Sequence, residues 1–331
     1  MKLLRIIPFL FLTALLSACI SQNEDCPTDR NIVLKLDLAL DLDGYNGKLG
    51  DYMHYADLFI FDATTGVLKH RTSTPVAGAY TLVSLNHLRP GSTYRIVAWG
   101  NATPERKAFG GVNPGSHIDD AYIGRAGVPR SAVTSDRIPF IPGNGDPLFF
   151  APGLAEQAFT IAIPAFGDHT ETLYFARAYI GIEVFVIGFD EYTGEAEAPV
   201  IEIDEASSHF DFDRVPFGDI TLRETTVIQT QYVERPAVAK FRTKLFDDNA
   251  NLAKELHVRS ALGTNEIHFT IDDAMFRQLI AQFMTDNNIT SLKNDAARQR
   301  IIPITIHFGG ANVAVSVGVK NFEEVCTSPT W

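Results

Sequence analysis

Apolar residues recur at every second position along most of this chain, a period that suits extended strands and not helices. Ile32, Leu34, Leu36, Leu38 and Leu40 alternate with Lys35 and Asp37, which predicts a strand with one buried face. Residues 55–62 (YADLFIFD) predict a second, ended by the turn Ala63-Thr64-Thr65-Gly66. Strands over 80–85 and 93–99 follow, joined through Leu88-Arg89-Pro90-Gly91, where glycine after proline supplies the positive φ such a turn needs. Residues 100–156 are rich in glycine and proline and poor in periodicity. They predict long loops and a short helix over the end of a sandwich, closed by a strand at 158–163.

The alternation restarts beyond residues 164–168. Residues 173–189 place Ala176, Ala178, Ile180, Ile182, Val184 and Val186 on one face, predicting a bent strand or two strands sharing a bulge near Gly181. Shorter strands are expected at 199–203, 209–213, 226–233, 237–246, 255–261 and 265–271. One segment has the other period: after Asp272, a capping residue, Phe276, Leu279, Ile280 and Phe283 fall at helical spacing. A hairpin over 301–308 and 311–319, turning at Gly309-Gly310, ends the pattern. The chain therefore reads as all-β, two successive antiparallel sandwiches with a boundary near 165–170.

Composition agrees. A chain of 331 residues, 46% hydrophobic and 21% charged, can bury substantial cores and is neither disordered nor a coiled coil. Its 40 acidic against 28 basic residues give a net charge of −12, so it lacks the basic surface that displaces phosphate counterions, and no nucleic-acid partner is expected.

The amino terminus sets the compartment. Residues 1–18 read as an export signal, with Lys2 and Arg5 ahead of an apolar run that is shorter than the roughly 20 residues needed to span a bilayer. Leu16-Ser17-Ala18-Cys19 resembles a bacterial lipobox, in which cleavage precedes the cysteine and the new terminus is acylated. Lipidation of Cys19, palmitate included, is thus expected to anchor the protein; a plain signal with an incidental cysteine is the alternative. Residues 19–30 form a tether, and its Ser21-Gln22-Asn23-Glu24-Asp25 resembles the signal that exports Bacteroidota lipoproteins to the outer face of the outer membrane. A generic polar tether would account for the same residues. With Cys19 acylated, Cys26 and Cys326 remain, and an even pair in an exported protein predicts a disulfide, two free thiols being the alternative. Closing so long a loop would stabilise by about 5–6 kcal/mol at most in the chain-entropy model.

Catalytic signals are lacking. The nine histidines form no HExxH, and there is no G-x-S-x-G elbow, P-loop or dinucleotide fingerprint. His209, Asp211 and Asp213 could share one strand face as a divalent-metal site, but an exposed edge face explains them as well. Asp41-Leu42-Asp43-Gly44 lacks the glutamate of a calcium loop, and Asp204-Glu205 would need an opposing acid to act on glycosides. No catalytic residue, metal or cofactor is assigned.

The block Leu88-Arg89-Pro90-Gly91-Ser92-Thr93-Tyr94-Arg95-Ile96-Val97-Ala98-Trp99-Gly100-Asn101 resembles a motif of the FimB-type fimbrial anchor family of Bacteroidota. So do Asp57-Leu58-Phe59-Ile60-Phe61-Asp62 with Gly66-Val67-Leu68, and Phe175-Ala176-Arg177-Ala178 running into Ile182-Glu183-Val184. The resemblance implies two tandem transthyretin-like sandwich domains, here 31–167 and 168–331, with one short helix in the second. It also implies a fimbrial (pilus) anchor: a fimbrillin-related lipoprotein that fastens the shaft to the outer membrane at the fimbrium base and limits its length, not an enzyme. The expected partners are the membrane, through the lipid, and the shaft subunit (the pilin). Only five residues follow Cys326, so a stapled chain has no free C-terminal arm to donate. It would instead accept a pilin strand or dock through the 100–156 loops. A minor or tip subunit of the same system is an alternative. Another is a glycan-binding lipoprotein of a polysaccharide-uptake system, whose aromatic platform would draw on Trp99, Trp331, Tyr122 or Tyr192. A lipid-tethered hydrolase is disfavoured by the missing motifs.

Overall fold

The computed structural model describes residues 33–40, 53–76, 80–101, 107–125, 140–142, 148–153, 158–164, 169–194, 198–230, 234–244, 255–262, 266–290, 292, 301–310 and 312–318. The first group of strands is β1 (Val33–Leu40), β2 (Tyr55–Asp62), β3 (Leu68–Pro75), β4 (Tyr80–Ser84), β5 (Thr93–Asn101), β6 (Lys107–Gly110), β7 (Tyr122–Arg125), β8 (Phe140–Pro142), β9 (Leu148–Ala151), β10 (Thr160–Ala162) and β11 (His169–Arg177). There follow β12 (Tyr179–Ile187), helix α1 (Phe189–Thr193), β13 (Val200–Asp211), β14 (Pro216–Thr225), β15 (Val227–Ile228), β16 (Ala237–Lys244), β17 (Leu256–Arg259), β18 (Ile267–Ile271), helix α2 (Asp273–Asp286), β19 (Ile301–Gly309) and β20 (Asn312–Val317).

These strands make three sheets. The first runs β3-β2-β5-β9-β11-β1-β4, with β10 also on β5; the second runs β15-β16-β12-β19-β20. The third runs β18-β17-β13-β14-β8, with β7 on β13 and β6 on β7. The chain is all-β as expected, and most pairs are antiparallel. Three are parallel: β1 with β11, β12 with β19, and β14 with β8.

Alternation explains the cores. Leu58 and Ile60 of β2, with Ile96 and Ala98 of β5, join Val83, Ile161, Leu173 and Phe175 in one buried cluster of the first sheet. The intervening residues Phe59, Phe61, Val97 and Trp99 belong to a second buried cluster, with β12, β13, β19 and α2. Both faces of β2 and β5 are thus buried, which is why their sequences read FIF and IVAW without polar interruptions. The second and third sheets enclose Ile180, Ile182, Val184, Ile201, Ile203, Leu222, Val258, Ile302 and Ile304. Helix α2 covers them through Phe276, Ile280 and Phe283, and Asp272 caps it by accepting from the Met275 N–H at 2.8 Å. The expected helix is therefore present. The 63–66 turn forms as well, with the Asp62 carboxylate accepting the Thr64 and Thr65 N–H groups. Gly91 has φ +74, as the Pro-Gly reading required.

Several local expectations fail. Residues 107–110, 122–125 and 140–142 are not loops over a sandwich end but strands added to the third sheet. The long strand over 173–189 breaks at Ala178 and not at Gly181: β11 pairs in the first sheet and β12 in the second. Strands at 199–203 and 209–213 are one strand, β13, whose register shifts between Ile203 and Ala206. Strand β14 was not foreseen, because Pro216, Gly218 and Asp219 carry turn chemistry, and of the described residues in the strand expected at 226–233 only Val227 and Ile228 form one, β15. The short helix expected within 100–156 is present as a single 3-10 turn at Ile118–Asp120, whereas helix α1 was not foreseen.

Candidate functional site

The largest constellation lies where the first sheet meets the third. The turn after β13 is held by Asp211, whose carboxylate accepts from the N–H groups of Asp213 (2.9 Å) and Val215 (2.7 Å). Burial nonetheless raises the Asp211 carboxyl above its ordinary range, against those two donors. The turn projects Phe212 among first-sheet rings: Phe59 at 4.8 Å, Phe61 at 5.8 Å and Trp99 at 6.2 Å between centroids. Phe109 of β6 packs on Phe59 at 5.0 Å, and the Arg71 guanidinium lies over both of those rings. Polar bonds fix the rim. Arg95 donates to Asp213 at 2.5 Å and to the Phe212 carbonyl at 3.4 Å. Arg214 donates to the Gly153 carbonyl at 3.0 Å with its guanidinium over the Phe150 ring, and burial lowers its pKa. The first and third sheets are thus joined by an aromatic seam.

The anticipated site residues are distributed as follows. Cys19, Cys26, Cys326, Trp331 and the 41–44 segment lie outside the described residues. His209, Asp211 and Asp213 do not converge and are not an exposed edge face. His209 is 1% exposed and stacks on Phe217, Asp211 closes the turn, and Asp213 pairs with Arg95. Of the possible sugar platforms, Trp99 is fully buried and Tyr122 is half-buried against His209 and Phe217. Tyr192 is 41% exposed and rests on Phe308.

Histidines scattered in sequence meet twice in space. His257 lies against Asp204 and Glu255, the trio's ligand atoms all within 4.8 Å of one another. Strand register makes that meeting, so no local motif announces it. His70 of β3 and His87 lie 4.1 Å apart between ring centroids. Burial lowers the pKa of both, and for His70 the charge of His87 adds to the effect. A histidine whose pKa is lower folded than unfolded takes up its proton more readily when unfolded, so stability falls as the pH drops below the ordinary histidine range. Thermal midpoints should therefore decline from pH 7 to pH 5. His87→Asn should flatten that slope, and an unchanged slope would remove the pair from the account.

Three β-sheets packed across a buried aromatic seam define the class of the fold as all-β. The chain belongs to the family of fimbrillin-A associated anchor proteins Mfa1 and Mfa2, whose family model matches residues 23–327. This is not an enzyme family, and it places the protein at the cell surface in association with fimbriae. Among solved structures, the fold resembles the fimbrial anchor protein Mfa2 of Porphyromonas gingivalis (12% identity, 86% of this chain and 95% of that one, TM-score 0.60). It also resembles a candidate polysaccharide-binding protein of Bacteroides thetaiotaomicron (15% identity, 88% and 99%, TM-score 0.63). A third likeness is to a candidate adhesin of Bacteroides ovatus (14% identity, 88% and 96%, TM-score 0.61). Comparison with curated proteins found no match.

Proposed function

We propose that this protein is a lipid-anchored fimbrial anchor subunit that fastens the shaft to the outer membrane and limits its length. The observation that carries this reading is the family match over 23–327, which begins four residues beyond the cysteine of a lipobox ending at Cys19. In this reading, acyl chains on Cys19 enter the membrane, a Cys26–Cys326 disulfide ties the ends of the folded body, and two transthyretin-like domains over 31–167 and 168–331 carry the load.

The partner is the shaft subunit, which adds a strand to an exposed sheet end. Among the described residues the third sheet ends at β18, where Ile267 is 45% exposed and nearby Leu262 is 56% exposed. Backbone groups along such an end give affinity, and exposed apolar side chains give the incoming strand something to cover. The 107–142 strands are already committed to the same sheet, which favours strand addition over docking by free loops. Cross-linking to the shaft subunit should yield peptides from β18, and Ile267→Lys should reduce that yield at least several-fold. Cross-links confined to 195–225 would discard the assignment.

A glycan-binding reading is favoured by one feature, the exposed ring of Tyr192 on Phe308. A glycan array with Tyr192→Ala as control tests it.

A further inference from the structure

We infer that Asp204, Glu255 and His257 form a site for a divalent cation of the zinc type, fastening β17 to β13. The register builds it. Glu202 of β13 lies opposite His257 of β17, and His257 opposite Thr270 of β18. The Asp204 N–H donates to the Glu255 carbonyl at 2.9 Å, so those two residues face each other two residues along the ladder from Glu202 and His257. Period-two alternation then brings the Asp204, Glu255 and His257 side chains to one face of the sheet. The register shift in β13 begins directly beside Asp204, and such irregularities re-aim side chains next to sites.

Each ligand atom is directed by a partner behind it. His257 Nδ1 lies 2.9 Å from the Thr270 hydroxyl, leaving Nε2 for the cluster. The Thr221 hydroxyl donates to Asp204 Oδ1 at 2.5 Å, leaving Oδ2 3.1 Å from His257 Nε2. Glu255 Oε2 is 3.6 Å from the same nitrogen. These separations bracket the roughly 3.4 Å between two ligand atoms each about 2.1 Å from a tetrahedral zinc ion. A hydrogen-bond partner on the other ring nitrogen fixes the orientation of a ligating imidazole, and the Thr270 hydroxyl takes that place here.

A proton on Nε2 would bridge to Asp204 alone, because 3.6 Å exceeds hydrogen-bond reach to Glu255. A divalent cation satisfies all three at once, and one imidazole with two carboxylates suits zinc better than calcium, which takes oxygen ligands. The His257 side chain is 7% exposed and those of Asp204 and Glu255 are 30% and 52% exposed, so the cluster is closed on the imidazole side and open to a water ligand on the carboxylate side. In the same row as His257, Arg223 and Arg259 close on the buried Glu202, which holds that carboxylate in its own ion pairs and out of the cluster.

The test is calorimetric titration of the untagged, chelator-stripped full chain with Zn2+, together with its thermal midpoint. One site should be found, with affinity weakened at least tenfold by Glu255→Gln and lost in His257→Asn. Thr270→Val should weaken it about 10–100-fold, as outer-shell losses do. His87→Asn should leave it unchanged. Glu255 is half-exposed, so Glu255→Gln should keep the metal-free midpoint and separate ligand loss from misfolding. Zn2+ should raise the midpoint of the unaltered protein more than Ca2+ does. Absence of binding up to millimolar Zn2+, or binding unchanged by both Glu255→Gln and His257→Asn, would overturn the inference.

Discussion

Phe212→Ala should lower the stability of the folded protein by about 3–5 kcal/mol, the range for deleting a buried phenylalanine whose site cannot collapse. Phe212 is 1% exposed and touches rings contributed by two strands of the first sheet. Those neighbours are fixed by their own ladders and cannot move into the vacated volume. The cluster to which Phe212 belongs extends from β2 and β5 to β12, β19 and α2, so all three sheets contribute to one core. Calorimetry should therefore show one cooperative transition for the unaltered chain, and a lowered, divided trace for the variant. Leu82→Ala, at a position 61% exposed, should stay within about 0.5 kcal/mol. A Phe212→Ala midpoint matching that control would mean that the seam contributes nothing.

Cys19→Ala should move the protein almost entirely from the membrane fraction to the soluble one and release fimbriae into the medium. Burial of acyl chains contributes about 0.8 kcal/mol per methylene, so one chain binds reversibly and stable anchoring takes more than one signal. In the proposed attachment every chain is carried by Cys19, so this substitution would remove all of them at once. Within the described residues no helix is long and apolar enough to cross a membrane. Fractionation, with mass spectrometry of the amino-terminal peptide, measures the outcome. A variant that still sediments with membranes, or an unaltered protein with an unacylated terminus, would remove the proposed attachment.

The fold was legible where local chemistry determines it. The helix at 273–286 announced itself through a cap and four apolar residues at helical spacing, and the 63–66 and 90–91 turns through aspartate, proline and glycine. The double burial of β2 and β5 was also written in their sequences, as apolar runs that leave no solvent face, although a simple two-sandwich reading has no use for it. What could not be read was pairing at a distance. Strands β6, β7 and β8 lie in sequence between β5 and β9 of the first sheet yet serve the third, where β7 pairs with β13 and β8 with β14. The meeting of His257 with Asp204, 53 residues away, depends on how β13 and β17 align, and a shift of one residue would turn both side chains to the core. The His209–Asp213 run misled for the opposite reason: its spacing was right for one face, but the strand ends at Asp211 and a turn takes the rest.

Strand β1 lies parallel to β11 over the seven register pairs from Leu34–His169 to Leu40–Phe175. Beyond Ala178 the chain continues directly as β12 in the second sheet. A pull that enters at the head of β1 and leaves from the tail of β11 therefore slides the two strands past each other lengthwise. Their backbone bonds share the tension and must give way together, whereas an antiparallel pair pulled from one end would open like a zip, bond by bond.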